Sequence, residues 1–199
     1  MEIDASQQSI SQDPSPVIQL LNQGDQLTQR FQKQFNDSIT HVQTLSSSLK
    51  QHNNLSNLVT RSAASDISSQ YPSVRQRTLA TLEKTIEEAS SGIRNSLELM
   101  EATVDSISEL LYKVDVYLAE PASLGSIGFD PVHALKHLGN LFSAYQAELL
   151  AKRELFFSYN CEEISLDDFA RQWQVCHQIK SLTQETMDDL ADVMGSWST

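Results

Sequence analysis

Apolar residues recur along this chain at the spacing of one helix face. The clearest run is Leu79, Leu82, Ile86, Ala89, Ile93, Leu97, Met100, Val104, Ile107, Leu111, Val114 and Leu118, whose steps are all three or four. That is close to a 3.5-residue repeat, the seam of a coiled coil or a long bundle helix, and it predicts a helix over 73–120. At about 1.5 Å per residue its seam is about 60 Å long. An earlier stripe, Val17, Leu21, Leu27, Phe31, Phe35, Ile39, Val42, Leu45, Leu49, Leu55 and Val59, is set among Gln, Ser and Asn and predicts a helix over 16–69. A third, Leu135, Leu138, Phe142, Tyr145, Leu149 and Phe156, is widened by Leu141, Leu150, Leu155 and Phe157 and predicts a helix over 131–159 that packs against two neighbours. The last, Leu166, Phe169, Trp173, Cys176 and Ile179, shifts phase near Lys180 to Leu182, Leu190, Val193 and Trp197, which predicts a helix over 165–197 with a stutter or kink.

Start and stop signals agree with these stripes. Ser15 can cap a helix that opens on Pro16, where the missing N–H loses no bond, and Asp130-Pro131 repeats the arrangement. Pro72 ends or kinks whatever precedes it. Pro121 opens the loop PASLGSIGFD, whose Gly125 and Gly128 read as turn residues. Ser165 can cap the last helix, with Asp167 and Asp168 in its first turn. Gly92 falls inside the long seam, where it either admits a close helix crossing or is a tolerated interruption. The expected fold is all-α: an elongated antiparallel bundle or coiled coil of three to four long helices over 14–199, preceded by a disordered polar tail over 1–13. Heptads permit the 79–118 seam to pair within the chain or between chains, so a homo- or hetero-oligomer through it stays open.

Composition narrows the function. Hydrophobic residues make up 40% of the 199 and aromatics 7%, with six Gly and five Pro, which favours helix over sheet. The formal net charge is −12, and 161–199 carries eight acids against two bases. Such a surface repels phosphate backbones, so direct nucleic-acid binding is not expected and basic protein partners are. No apolar run has the length of a membrane span, and MEIDASQQSISQD lacks the features of a signal or transit peptide. Cys161 and Cys176 form neither a CxxC motif nor a disulfide scaffold.

Candidate chemistry adds little. His133 and His137 stand four apart, but HALKH has Ala134 where HExxH needs Glu, so surface or capping histidines are the better reading and no metal is expected. There is no G-x-S-x-G elbow, and Cys176 reads as a small core residue beside Trp173. Pairs such as Glu162-Glu163 read as solvated or capping carboxylates. No catalytic residue, cofactor or metal ligand is assigned, and an enzyme is not expected. Ser15-Pro16 is a candidate phosphorylation site, since phosphate at a helix N-terminus is favoured by the helix dipole.

The segment LFSAYQAELLAKRELFFSYNCEEISLDDFARQW resembles the C-terminal region of the cyclin-dependent kinase 2-interacting protein (CINP) family. That family has a Tyr-x-x-Glu-Leu-Leu-x-Lys-Arg core, then an acidic or polar loop and a short helix with an aromatic four residues before a Trp. Tyr145, Glu148, Leu149, Leu150, Lys152 and Arg153 match the core, and Leu166, Phe169 and Trp173 match the second part. The resemblance covers about a third of the chain. It implies a non-enzymatic adaptor of nucleus and cytoplasm, associated with cell-cycle kinases, replication and checkpoint proteins, or an AAA-ATPase assembly acting in ribosome maturation. The alternative is a coiled-coil subunit of another assembly, such as a kinetochore or vesicle-tethering complex. On either reading Glu148, Lys152 and Arg153 are expected to form a polar edge that a partner sees.

Overall fold

The structure, a computed structural model, describes residues 16–61, 72–119, 131–176 and 179. They form an all-α fold of α1 (Pro16–Arg61), α2 (Pro72–Ala119), α3 (Pro131–Asn160) and the short α4 (Leu166–Trp173). Three of these helices open on a proline, whose fixed φ suits the first helical position. The tail expected over 1–13, the cap and phosphorylation site Ser15, the last part of the helix expected to reach 69, and residues 180–199 lie outside the described residues.

α1 and α2 run antiparallel, because contacts descend one helix as they climb the other. Gly24 lies beside Leu110, His41 beside Gly92, and Arg75 donates from Nη2 to the Leu55 carbonyl at 3.4 Å. α3 then runs alongside α1: Leu138 packs on Gly24, and the Phe31 and Tyr145 rings meet edge to face at 4.7 Å. The seam expected on α2 is therefore occupied within the chain, with Ala89, Ile93, Leu97, Met100, Val104, Ile107 and Val114 all buried. The strict repeat relaxes at one point: Leu110 is buried and Leu111 only half so, as happens when a straight helix of 3.6 residues per turn drifts off a 3.5-residue seam.

Two apolar clusters hold the bundle. The larger joins Phe31, Phe35, Val42 and Leu45 of α1 to the α2 seam, to Tyr145, Leu149 and Phe156 of α3, and to Phe169 and Trp173 of α4. The smaller sits at one end, where Leu20, Leu110, Val114, Leu135 and Leu138 meet. Each such side chain contributes roughly 1.5–3 kcal/mol when fully buried. A polar tie joins α2 to α1: Thr103 donates from Oγ1 to Gln34 Oε1 at 2.9 Å. No helix among the described residues is long and apolar enough to cross a membrane.

Three expectations need correction. The last helix breaks earlier than the stutter expected near Lys180: α4 stops at Trp173, Gln174 is a turn, Val175 and Cys176 are not helical, and Ile179 is helical again, while 177, 178 and 180–199 lie outside the described residues. The face of α3 is narrower than its apolar content suggests, since Leu150 and Phe157 are 57% and 64% exposed. His137 is buried rather than on the surface.

Candidate functional site

Most of the residues that carried the family resemblance meet where the C-terminal half of α3 packs on α4. α3 ends in a Schellman turn: Glu163 donates from its backbone N–H to the Ser158 carbonyl at 2.9 Å, and Glu162 to the Tyr159 carbonyl at 3.1 Å. Glu162 takes φ 60°, the left-handed conformation usually given to glycine. Ser165 then caps α4 as expected, its Oγ accepting from the Asp168 N–H at 3.1 Å and donating to Asp168 Oδ2 at 2.7 Å. The cap sets the direction of α4, which puts Phe169 and Trp173, four apart, on the face towards α1 and α3.

That face is an aromatic cluster. Phe169 stacks on Tyr159 at 4.5 Å and lies 5.3 Å from Trp173, while Phe156 approaches Trp173 edge to face at 6.4 Å. Trp173 is fully buried, and its indole N–H donates to Ser38 Oγ on α1 at 2.9 Å. Ser38 in turn donates to the Phe35 carbonyl at 2.6 Å, so this polar pair is satisfied inside the core. Ser38 was not among the expected site residues, although its position, three after Phe35 and four before Val42, places it on the apolar stripe of α1.

Glu148 and Lys152 contradict the expectation of a solvated edge. They are 2% and 3% exposed. Lys152 Nζ lies 3.2 Å from Glu148 Oε1 and donates to the Val175 carbonyl at 2.6 Å and the Gln172 carbonyl at 3.3 Å. The ammonium also sits over the rings of Phe35 and Trp173, at 5.3 and 5.9 Å from their centroids. It thus meets the carbonyl end of α4, where a helix presents partial negative charge. At this end the chain leaves the helix in a tight turn, with Val175 N–H on the Gln172 carbonyl at 3.4 Å, and Lys152 adds its own hydrogen bonds to the Gln172 and Val175 carbonyls.

Of the eight residues singled out, Tyr145, Glu148, Leu149, Lys152, Phe169 and Trp173 come together in the interior. The other two do not. Arg153 points to α2, where it pairs with Glu101 at 2.5 Å, and Leu150 faces outward. Burial pushes the Tyr145 hydroxyl up to about 12, with a side-chain hydrogen bond between it and Thr28 acting in the opposite direction. Burial also raises Tyr159. Between α3 and α4 lies an open groove of about 340 Å³ lined by Ala151, Leu155, Ile164 and Val175, with Glu148, Lys152 and Glu154 among its polar members. The arrangement suits holding helices and presenting a surface. The Lys152 ammonium already serves two carbonyls and a carboxylate, which leaves it poorly placed as a nucleophile or base.

Among the described residues no group of three or more His, Cys, Asp and Glu side chains is placed to hold a metal ion. Cys161 is exposed and Cys176 buried, and neither is in a disulfide. Compared with protein-family models, curated proteins and solved structures, the chain matches none.

Proposed function

We propose that the protein is a non-enzymatic helical adaptor of a nuclear or cytosolic multiprotein complex, similar in role to the CINP family. Its work is linked to DNA replication and cell-cycle control or to AAA-ATPase-assisted ribosome maturation. One observation supports this reading most. The two halves of the family-like segment are partners in space: Lys152 of the first half donates to the carbonyls of Gln172 and Val175, at and just past the end of the helix bearing Phe169 and Trp173. Residues twenty apart in sequence thus form one packed unit, which supports reading the two matched parts together. On this reading the Tyr-x-x-Glu-Leu-Leu-x-Lys-Arg core builds the platform, and partners meet what the platform leaves outside.

The test is recovery of the tagged chain from its own cells with identification of bound proteins. An AAA ATPase, a cell-cycle kinase or replication components are expected. Recovery of kinetochore or vesicle-tethering components alone would overturn the assignment in favour of a coiled-coil subunit of another assembly.

A further inference from the structure

We propose that a partner protein lays a basic amphipathic helix on the outer face of α3 around Leu150 and Phe157, along the groove that α3 shares with α4. The inference rests on the adaptor reading and deepens it by giving the partner's chemistry. Leu150 and Phe157 are exposed and seven apart, two helical turns or about 10.5 Å along one face of α3. A single exposed apolar residue is ordinary, but two at this spacing match the anchors by which helices dock in grooves. Ala151, next to Leu150, and Glu154, three residues before Phe157, line the groove of about 340 Å³, whose other walls include Leu155, Ile164 and Val175. The apolar strip therefore borders the groove, with Ala151 and Glu154 shared between them.

Charge decides the occupant. Glu154 lies exposed between the two anchors, and the exposed Glu162 and Glu163 follow at the end of α3. The base beside them, Arg153, is engaged by Glu101. A second copy of the chain, with net charge −12, would bring the same carboxylates against one another. A helix with apolar residues at two-turn spacing and Lys or Arg on its flanks complements both the strip and its rim.

The probe is a labelled synthetic helix of about 20 residues, about 30 Å long, with a leucine stripe and lysine flanks. Its control carries the same leucines with glutamate flanks, and both are titrated with the purified full chain by fluorescence anisotropy. The lysine peptide is expected to bind, to weaken as salt rises, and to lose roughly tenfold or more in affinity, about 1.4 kcal/mol per decade, with Leu150→Ser or Phe157→Ser. Both residues are exposed, so circular dichroism should show the variants folded. Equal binding of the two peptides, no binding, or unchanged binding by the variants would overturn the proposal. So would a wild-type dimer in sedimentation that Phe157→Ser dissolves, since the face would then belong to a second copy. Failure here leaves the adaptor reading standing if the tagged chain recovers the same partners with and without the substitutions. Failure of that reading appears instead as the wrong partners, with the peptide contrast still measurable.

Discussion

Lys152 and Arg153 are adjacent bases with opposite fates, and the difference can be measured. Lys152 is buried against Glu148, so Lys152→Met leaves a buried carboxylate without that cation and should cost about 3–5 kcal/mol in urea unfolding. Adding Glu148→Leu should recover most of the loss, because paired burial of charge is replaced by apolar packing. A deficit of about 1–2 kcal/mol should remain for the carbonyls of Gln172 and Val175. Arg153→Ala breaks only a half-exposed pair with Glu101 and should cost less than about 1 kcal/mol. If Lys152→Met and Arg153→Ala unfold alike, the clamp at the end of α4 is not stabilising. Tyr145 supplies a test by pH. The folded chain holds the Tyr145 proton to about 12, whereas the unfolded chain releases it near 10. Its contribution to stability is therefore complete below about pH 10 and is lost as pH rises towards about 12. Tyr145→Phe should flatten the fall in unfolding free energy from urea titrations across that window by an amount of order 2 kcal/mol. A wild-type and a variant curve that run parallel there would remove Tyr145 as the cause.

At the scale of elements, two glycines on regular helices should respond in opposite directions. A Cβ on Gly92 would lie 2.5 to 2.7 Å from the ring of His41, so the residue does admit a close crossing of α1 and α2. Gly92→Ala should cost about 1–3 kcal/mol from overpacking, offset by about 1 kcal/mol of helix propensity. Made in a His41→Ala background, where the ring is gone, it should stabilise. Gly139 has nothing within 4 Å of its Cβ position, so Gly139→Ala should raise stability by up to about 1 kcal/mol with no second change. Thermal melts of the four proteins decide this, and destabilisation at Gly139 would contradict it. Glu162→Gly should likewise stabilise the end of α3 by about 1 kcal/mol, because it relieves a left-handed residue. The helices themselves were legible because apolar period and proline starts are local signals, carried by residues within a few turns of each other. The end of α4 was not, because no glycine or proline marks it and the side chain that meets its last carbonyls, Lys152, lies twenty residues upstream of Gln172. The candidate site was half legible. Lys152 lies three after Leu149 and four before Phe156, on the core phase of α3, while Leu150 and Phe157 lie one step off it. Reading polarity before phase therefore placed lysine outside and leucine inside.

For the whole molecule, the distribution of burial along the bundle predicts where it opens first. Where three helices and α4 converge, α1 and α2 bury Phe31, Val42, Leu45, Ile93, Met100 and Ile107 almost completely. Towards the C-terminal end of α1 and the N-terminal end of α2, the pattern changes. From 50 to 57 and from 73 to 88 no residue is buried, and Leu55, Leu79, Leu82 and Ile86 are only half covered. The ties recorded there include the Arg75 hydrogen bond to the Leu55 carbonyl and an exposed contact of His52 with Glu83 at 3.5 Å. Exposed contacts of this kind contribute at most about 1 kcal/mol, so this end of the α1–α2 pair can open without disturbing the central cluster. Native-state hydrogen exchange should therefore show amides in 50–57 and 75–85 exchanging by local opening, at rates insensitive to low denaturant. Amides in 93–107 should exchange only through global unfolding, with a slope equal to that of the whole protein. A difference of about 3 kcal/mol between the two groups corresponds to more than a hundredfold in protection. Uniform protection along α2 would mean that the bundle unfolds as one unit, and that the apolar cover at its open end is deeper than the half-buried leucines indicate.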